Sequence, residues 1–320
     1  LSKGVIMRIF NQAIFMGEGH IAPYFEGWYF RMVSGNGRSI SVIPGISLCK
    51  NDSHCFVQLL DSNGLIIYKR YPLSDFEYSR DRFLIKIGEN SFSDEGLRIN
   101  IKGEDSAFGR VVFNDRVRYP KSIWSPGIMG PLSYFPMLEC RHEVICVKSK
   151  VCGGLALNGE DIDLSGGSGY IEKDWGVSFP EKYLWTQSSG FLNHDASFML
   201  AAAIVPLMGK KINGLIAYLY ENNRFHTFTT YGCARVHSMK YCGDALEIVV
   251  RSPRQEMTVS ILRGADSPLK APLAGDMKRV ITESCDDTIK VELRDKNRTI
   301  FSDTATESAT EICGDMIVLH

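Results

Sequence analysis

Short apolar runs separated by turn-forming residues dominate this sequence, and they constrain the fold more than any other feature. The runs are too short for ordinary helices, and a helical period is nearly absent, with one helical turn predicted near residues 180–183. The runs with this character are residues 39–48, 55–60, 65–68, 83–87, 97–101, 111–113, 198–205, 214–220, 225–230, 246–250, 257–262 and 288–293. The pattern therefore predicts an all-β protein of antiparallel strands with little helix.

The Asn63-Gly64 pair stands between two of these runs and is a strong hairpin signal. Both residue types tolerate the positive φ that a type I′ turn requires, so we expect a tight turn at this position.

The second half of the chain repeats the order of the first. The aromatic residues 28–30 are followed by a polar turn and a strand from Ser39, as residues 183–185 are followed by a turn and a strand from Ser197. Self-similarity over half the chain predicts two related β domains.

The breaker-rich residues 119–136 lie between the two halves and predict a connection. We therefore expect an N-terminal domain over residues 1–145 and a C-terminal domain over residues 146–320. Each half has the size at which an antiparallel sheet closes around a small apolar ligand. The predicted fold is two consecutive lipocalin/calycin-like β-barrel domains.

Charge and hydropathy argue against nucleic-acid binding and against a membrane-spanning segment. The chain has 36 basic and 37 acidic residues without a Lys/Arg cluster, so nucleic acid is not an expected partner. The strongly apolar residues 198–205 fall far short of the roughly 20 residues that cross a bilayer, so no transmembrane segment is predicted. Peripheral membrane contact stays open. The start of the chain has no signal-peptide pattern, which favours a cytoplasmic location.

Cysteine and histidine spacing gives no metal motif. The nine cysteines include no C-x-x-C pair, and the seven histidines form no H-E-x-x-H arrangement. We therefore predict free thiols and no metal site.

Two blocks mix charges with aromatic residues and glycines, where an ordinary strand would alternate apolar and polar residues. They are residues 24–31 (Tyr-Phe-Glu-Gly-Trp-Tyr-Phe-Arg) and residues 169–176 (Gly-Tyr-Ile-Glu-Lys-Asp-Trp-Gly). A carboxylate among aromatic side chains is how a desolvated acid is presented to an apolar ligand. The blocks together predict a site for a hydrophobic small molecule.

These blocks resemble those of the tocopherol cyclase family, whose members carry a Phe-Glu-Gly-Trp-Tyr-Phe block near the start and a Glu-Lys-Asn/Asp-Trp-Gly block in the middle. The matching positions are residues 25–30 and 172–176, followed by residues 179–180 (Phe-Pro) and 185–187 (Trp-Thr-Gln). A weaker third match is residues 269–272 (Leu-Lys-Ala-Pro).

The resemblance implies two lipocalin-like domains and, as in the plant members, cofactor-independent closure of a prenylated quinol to a chromanol ring. Such a reaction needs an acid that protonates an alkene, electron-rich faces beside the developing cation, and an acceptor for the phenol proton. An intramolecular lyase or isomerase acting on a prenylated or other hydrophobic molecule is therefore the leading hypothesis. The alternatives are a non-catalytic carrier of a lipid or isoprenoid and an interaction domain with filled barrels. The oligomeric state stays open.

In an extended segment, Tyr170, Glu172 and Asp174 share one face, and Lys173 and Trp175 share the other. Two carboxylates on one face couple, which raises the pKa of one of them. Asp174 is therefore the predicted acid and Glu172 its tuning partner.

Glu26 is the second candidate acid. The alternative is that the carboxylates of both blocks form structural ion pairs with Lys173 and Arg31.

In the first block, Glu26, Trp28 and Phe30 are expected on one face and Phe25, Tyr29 and Arg31 on the other. Aromatic residues on both faces imply burial of both. The predicted ligand-binding residues are Trp28, Tyr29, Tyr170, Trp175, Trp185 and Gln187. The alternative for the large aromatic side chains is that they plug the end of a barrel. His20 is a minor candidate for accepting a phenol proton.

Overall fold

The computed structural model describes residues 8–135, 138–207 and 209–315. Strands connected by short turns make up most of this part of the chain. The first sheet consists of β1 Tyr24–Val33, β2 Ser39–Leu48, β3 His54–Asp61, β4 Ile66–Tyr71, β5 Phe76–Tyr78, β6 Leu84–Ile87, β7 Asn90–Ser93, β8 Gly96–Ile101, β9 Ala107–Val117, β10 Cys140–Leu157, β11 Glu160–Asp163 and β12 Ser168–Gly176. The second consists of β13 Tyr183–Ser188, β14 Ser197–Leu207, β15 Lys210–Glu221, β16 Arg224–Thr229, β17 Arg235–Cys242, β18 Ala245–Arg251, β19 Gln255–Leu262, β20 Asp266–Leu273, β21 Asp276–Asp295 and β22 Arg298–Cys313. Short 3₁₀ helices lie at Leu73–Asp75, Gly130–Tyr134 and Thr230–Gly232.

Both sheets are antiparallel and follow the same plan. The first has the order β4-β3-β2-β1-β12-β10-β9-β8-β7-β6-β5, and the second has the order β16-β15-β14-β13-β22-β21-β19-β18-β17. In each, a four-stranded meander is joined through its first strand to a strand formed much later in the chain. Each sheet also curls on itself, since β3 approaches β6 and β15 approaches β17 without being hydrogen-bonded neighbours. The prediction of a two-domain, all-β calycin-like fold is confirmed.

The chain divides into two compact units. The first comprises Leu1–Phe179 with Lys270–Arg279, and the second comprises Pro180–Leu269 with Val280–His320. The first unit extends past residue 145, where the sequence placed a boundary, because β10 runs through that position and pairs with β9 and β12. Each unit has its own apolar core.

Two hairpin turns, one predicted at residues 63–64 and one at residues 222–223, differ in their backbone. The hairpin at residues 63–64 forms between β3 and β4, but the expectation of a type I′ turn is wrong, since of the two residues Gly64 alone has a positive φ, of 93°. The loop also includes Ser62 and Leu65, and this extra length removes the need for two left-handed residues. Asn222 and Asn223, between β15 and β16, do have positive φ values of 47° and 59°.

β1 is buried along both faces, as its aromatic residues predicted. Trp28, Phe30 and Met32 belong to the apolar core of the first unit, and Tyr29 and Arg31, of opposite orientation, are buried as well. Within the described residues, no helix combines the length and the hydropathy that crossing a bilayer requires.

Candidate active site

The second charged block forms β12, which lies between β1 and β10 in the first sheet. Asp174 pairs with His142 of β10 and with Gly27 of β1, in antiparallel register. Residues that face each other across an antiparallel ladder project from the same side of the sheet. His142 therefore joins Asp174 and Glu172 on one face, while Ile171 and Trp175 enter the apolar core on the other.

Four side chains on the face away from the core form a connected group, here named the His142 cluster: His142, Tyr170, Glu172 and Asp174. His142 Nδ1 lies 3.0 Å from Asp174 Oδ1, and His142 Nε2 lies 3.5 Å from Glu172 Oε2. The Tyr170 hydroxyl donates to Glu172 Oε2 at 2.5 Å. His142, Tyr170 and Glu172 are buried, and Asp174 keeps partial exposure.

The cluster holds a proton strongly. Burial acts to lower the pKa of His142, but the charges of Glu172 and Asp174 and the hydrogen bond to Asp174 outweigh it and raise the pKa to about 9. At neutral pH the ring is therefore an imidazolium between two carboxyl groups. Its Nε2 is buried, makes no hydrogen bond to the described residues and lies 3.5 Å from Glu172 Oε2.

The backbone beside His142 is fixed by the segment that precedes β10. The amide N of His142 lies 3.1 Å from Met129 Sδ. The next residue, Glu143, points to the core side, where it accepts from the amide N of Ile128 at 3.3 Å and pairs with Lys121. Residues 121–129 therefore hold the start of β10 in place.

On the core face of the same strands, Lys173 is enclosed in a cage of polar and aromatic groups. Its Nζ lies 2.6 Å from Glu26 Oε1, and both side chains are 0% exposed. The ammonium also donates to the backbone oxygens of Gln12 and Ile14, at 2.7 and 2.6 Å. It lies 5.1 and 4.5 Å from the ring centroids of Trp28 and Trp175. We name these contacts the Lys173 cage.

Glu26 is fully occupied within this cage. It accepts from the Tyr24 hydroxyl at 2.5 Å and from the amide N of Met16 at 2.9 Å, besides its ion pair with Lys173. Burial lowers the pKa of Lys173, and the negative charge of Glu26 opposes that effect. The indole faces of Trp28 and Trp175 already lie beside a cation, which is the role predicted for them toward a substrate.

The His142 cluster is also a group that could hold a metal. Ligand atoms of His142, Glu172 and Asp174 lie within 4.8 Å of one another. A metal would have to displace the proton that this histidine retains up to about pH 9, and it would break the Nδ1 contact with Asp174. The donor set is better suited to holding a proton, and the expectation of no metal stays a prediction.

The predicted site residues lie in three places. Asp174, Glu172 and Tyr170 come together in the His142 cluster, with Tyr29 on the same face bonded to Ser41 Oγ at 2.8 Å. Glu26, Trp28 and Trp175 belong to the Lys173 cage. Trp185 and Gln187 lie on β13 in the second unit, both buried, with Gln187 Nε2 donating to Ser189 Oγ at 3.1 Å. The minor candidate His20 is exposed and stacks on the Tyr24 ring at 4.4 Å.

Two residues of the site were missed as functional candidates. His142 lies 32 positions before Asp174, and nothing in the sequence around it marks the register that places it opposite that residue. Lys173 was expected in an ion pair, but its partner among several carboxylates could not be chosen from the sequence.

Comparison with known proteins agrees with this picture. The tocopherol cyclase-like family model matches residues 111–314, which include β10 and β12. The chloroplastic tocopherol cyclase of Zea mays is 30% identical over 74 residues, which is 23% of this chain and 16% of that protein. The aligned part thus spans less than a fifth of the length of this relative.

Two solved structures share the fold. CghA, in a structure with Sch210972, superposes with a TM-score of 0.59 at 8% identity and covers 91% of this chain and 89% of its own. A Nitrosomonas europaea protein assigned as AttH gives a TM-score of 0.56 at 12% identity, covering 91% and 92%. At such identities the likeness concerns the fold alone.

Proposed function

This chain belongs to the tocopherol cyclase-like family, and from that premise we propose that it is an enzyme that cyclises a prenylated or other hydrophobic small molecule by acid catalysis, without a cofactor. The observation that carries the proposal is the His142 cluster. It stores a proton in a buried position next to two carboxyl groups, on the sheet face opposite the apolar core.

Asp174 is the proposed proton donor. As water leaves the site on substrate binding, the charged form of the pair becomes less favourable, and the proton passes from His142 Nδ1 to Asp174 Oδ1 over 3.0 Å. The resulting carboxylic acid protonates one carbon of the substrate alkene and leaves a tertiary carbocation on the other. Asp174 is chosen over Glu172 because it is the more exposed of the two.

The second half of the reaction restores the cluster. A phenol oxygen of the substrate attacks the carbocation and closes the ring, and its proton passes to the Asp174 carboxylate, which returns it from Oδ1 to Nδ1 of His142. The imidazolium re-forms beside Glu172, which is itself held by the Tyr170 hydroxyl. Protons balance over the cycle, so the product is an isomer of the substrate.

We propose a structural role for Glu26 instead of an acidic one. Its carboxylate already accepts from Lys173, Tyr24 and the backbone at Met16, so protonating it would break a buried ion pair. Among the predicted ligand contacts, Tyr29 and Tyr170 lie on the face of the His142 cluster. Trp185 and Gln187 stay predicted contacts of the second unit.

The experiment that tests this proposal is turnover of a prenylated hydroquinone in D₂O, followed by mass spectrometry. Alkene protonation from an exchangeable acid adds one deuterium to carbon, so the product should be heavier by one mass unit than the product formed in H₂O. Asp174→Asn should abolish turnover and keep the fold. Asp163→Asn, at an exposed aspartate of β11, is the matched control and should react like the wild type.

The rival function is a carrier of a lipid or isoprenoid. A carrier would release its ligand unchanged in mass and without deuterium on carbon, and it would tolerate Asp174→Asn and Glu172→Gln. Either result, obtained over several prenylated hydroquinones that bind the protein, would overturn the enzymatic proposal.

A further inference from the structure

An uncharged segment precedes β10, and neither the fold nor the proposed reaction accounts for its composition. Residues 122–138 contain no charged side chain, in a chain of which 23% of the residues are charged. Residues 119–136, which overlap this segment, were expected to be a connection. In the structure this segment carries several of the exposed large apolar side chains, among them Ile123, Trp124, Tyr134 and Phe135.

Ile123 and Trp124 form the tip of a tight turn. Their side chains are 69% and 79% exposed. The turn is closed by two backbone hydrogen bonds, since Ser122 N donates to Ser125 O at 2.8 Å and Ser125 N donates to Ser122 O at 3.0 Å. The Tyr134 hydroxyl donates to the carbonyl of Ile123 at 2.6 Å. Large apolar side chains therefore project from a tip whose backbone is largely satisfied.

We propose that this tip, residues 122–125, docks the protein on the surface of a lipid bilayer. A tip that enters the interfacial region must leave few backbone groups unpaired, and the bonds of Ser122, Ser125 and Tyr134 meet that condition. Tryptophan and tyrosine favour the boundary between hydrocarbon and headgroups. The tip carries no charged side chain, which matches a zwitterionic lipid surface better than a charged one.

The base of the tip is anchored beside the His142 cluster. Pro126 and Ile128 are buried, Ile128 N donates to Glu143, and Met129 contacts the backbone of His142. Docking would therefore bring β10 and its histidine close to the bilayer, where apolar molecules are dissolved. The docking proposal itself does not rest on the proposed reaction.

The test uses phosphatidylcholine vesicles and tryptophan fluorescence. Trp28, Trp175 and Trp185 are buried, so Trp124 is the exposed indole of the four. Vesicles should shift the emission to shorter wavelength and protect it from acrylamide quenching. Trp124→Phe should remove the shift but keep co-sedimentation with vesicles. Binding should change little between low and high salt, because the tip carries no charge.

The loss-of-binding variant is Ile123→Ser with Trp124→Ser. Removing two apolar side chains from the interface should lower the partition coefficient by about tenfold or more. Leu192→Ser, at a leucine of the second unit that is 64% exposed, is the matched control and should bind like the wild type. All variants lie at exposed positions, and unchanged thermal unfolding should show that they keep the fold.

Three results would overturn the proposal. The first is vesicle binding that the double serine variant retains, or no binding at all. The second is binding confined to anionic vesicles and lost in salt, which would assign the contact to basic residues. The third is an emission shift that appears without lipid as the protein concentration rises. That result would show that the tip binds a second copy of the chain. Turnover in detergent tests the reaction separately, so either proposal can fail alone.

Discussion

His142 Nδ1 lies 3.0 Å from Asp174 Oδ1 across the ladder between β10 and β12. In the charged form of this pair the proton is on the imidazole, which the nearby carboxylates favour by raising the pKa of His142 to about 9. In the form proposed to protonate the substrate, this proton has moved from Nδ1 to Asp174 Oδ1. The raised pKa of His142 gives the cluster its effect on stability, and the transfer over one hydrogen bond gives it its proposed role as a proton donor.

The first prediction concerns the pH dependence of stability. The folded pKa of His142, about 9, is above the unfolded value of about 6.5, so its stabilising contribution is complete below pH 6.5 and is lost as pH rises through 9. Between these values the folded state binds more protons, and the free energy of unfolding should fall by about 3 kcal/mol. Urea denaturation at several pH values measures this decline.

His142→Asn is the comparison, because it removes the titrating group and keeps a donor near Asp174. Its stability should lack the decline between pH 6.5 and 9. His54, whose burial lowers its pKa, titrates below this window and leaves the comparison unaffected. If wild type and variant lose stability in parallel over this range, the raised pKa of His142 is wrong.

Local sequence patterns predicted the strands and their faces well, because alternation along β1 and β12 depends on neighbouring residues alone. Tyr170, Glu172 and Asp174 share a face as the period of two requires. The pairing of β12 with β10 could not be predicted, because register between distant strands depends on the whole sheet. His142 was missed for that reason.

The sequence alone also could not decide whether the charged blocks form an acid site or a network of structural ion pairs. Both an acid site and an ion-pair network place carboxylates and a lysine among aromatic residues. In the structure, carboxylates lie on both faces of the same strands, with Glu26 paired to Lys173 on the core face and Asp174 beside His142 on the other. A period of two assigns the faces, but the choice of which face is the core needs the tertiary packing.

The second prediction concerns the Lys173 cage. Lys173→Met leaves Glu26 without its counter-charge in the core, which should lower the free energy of unfolding by about 3–5 kcal/mol. Adding Glu26→Leu removes the unpaired charge, so the double variant should lose less than the sum of the two single variants. Denaturant unfolding of the four proteins gives the coupling energy.

Lys150→Met is the matched control for this cycle. Lys150 Nζ lies 3.3 Å from Asp115 Oδ2, but both side chains are largely exposed, so the denaturation midpoint should barely change. Additive losses at Lys173 and Glu26 would show that the two residues act independently, against the cage described here.

The third prediction explains the glycine that ends the second block. Gly176 has a φ of 147°, and a Cβ at this position would lie 2.2 Å from the carbonyl oxygen of Glu139. Gly176→Ala should therefore lower the free energy of unfolding by about 2 kcal/mol or more, through strain and a clash with backbone. Gly35→Ala, where a Cβ meets nothing within 4 Å, should be close to neutral in the same thermal melts. Equal melting temperatures for both variants would contradict a steric requirement at Gly176.

The fourth prediction concerns the pH dependence of turnover. The proposed reaction needs one proton on the His142 and Asp174 pair, so kcat/KM should fall about tenfold per pH unit above pH 9, where His142 loses its proton. His142→Asn removes the proton store and should lower kcat by a factor of about 10² to 10⁴. If His142→Asn kept the wild-type rate and the decline of kcat/KM above pH 9, a group other than His142 would supply the proton. The proposed transfer from His142 to Asp174 would then be wrong.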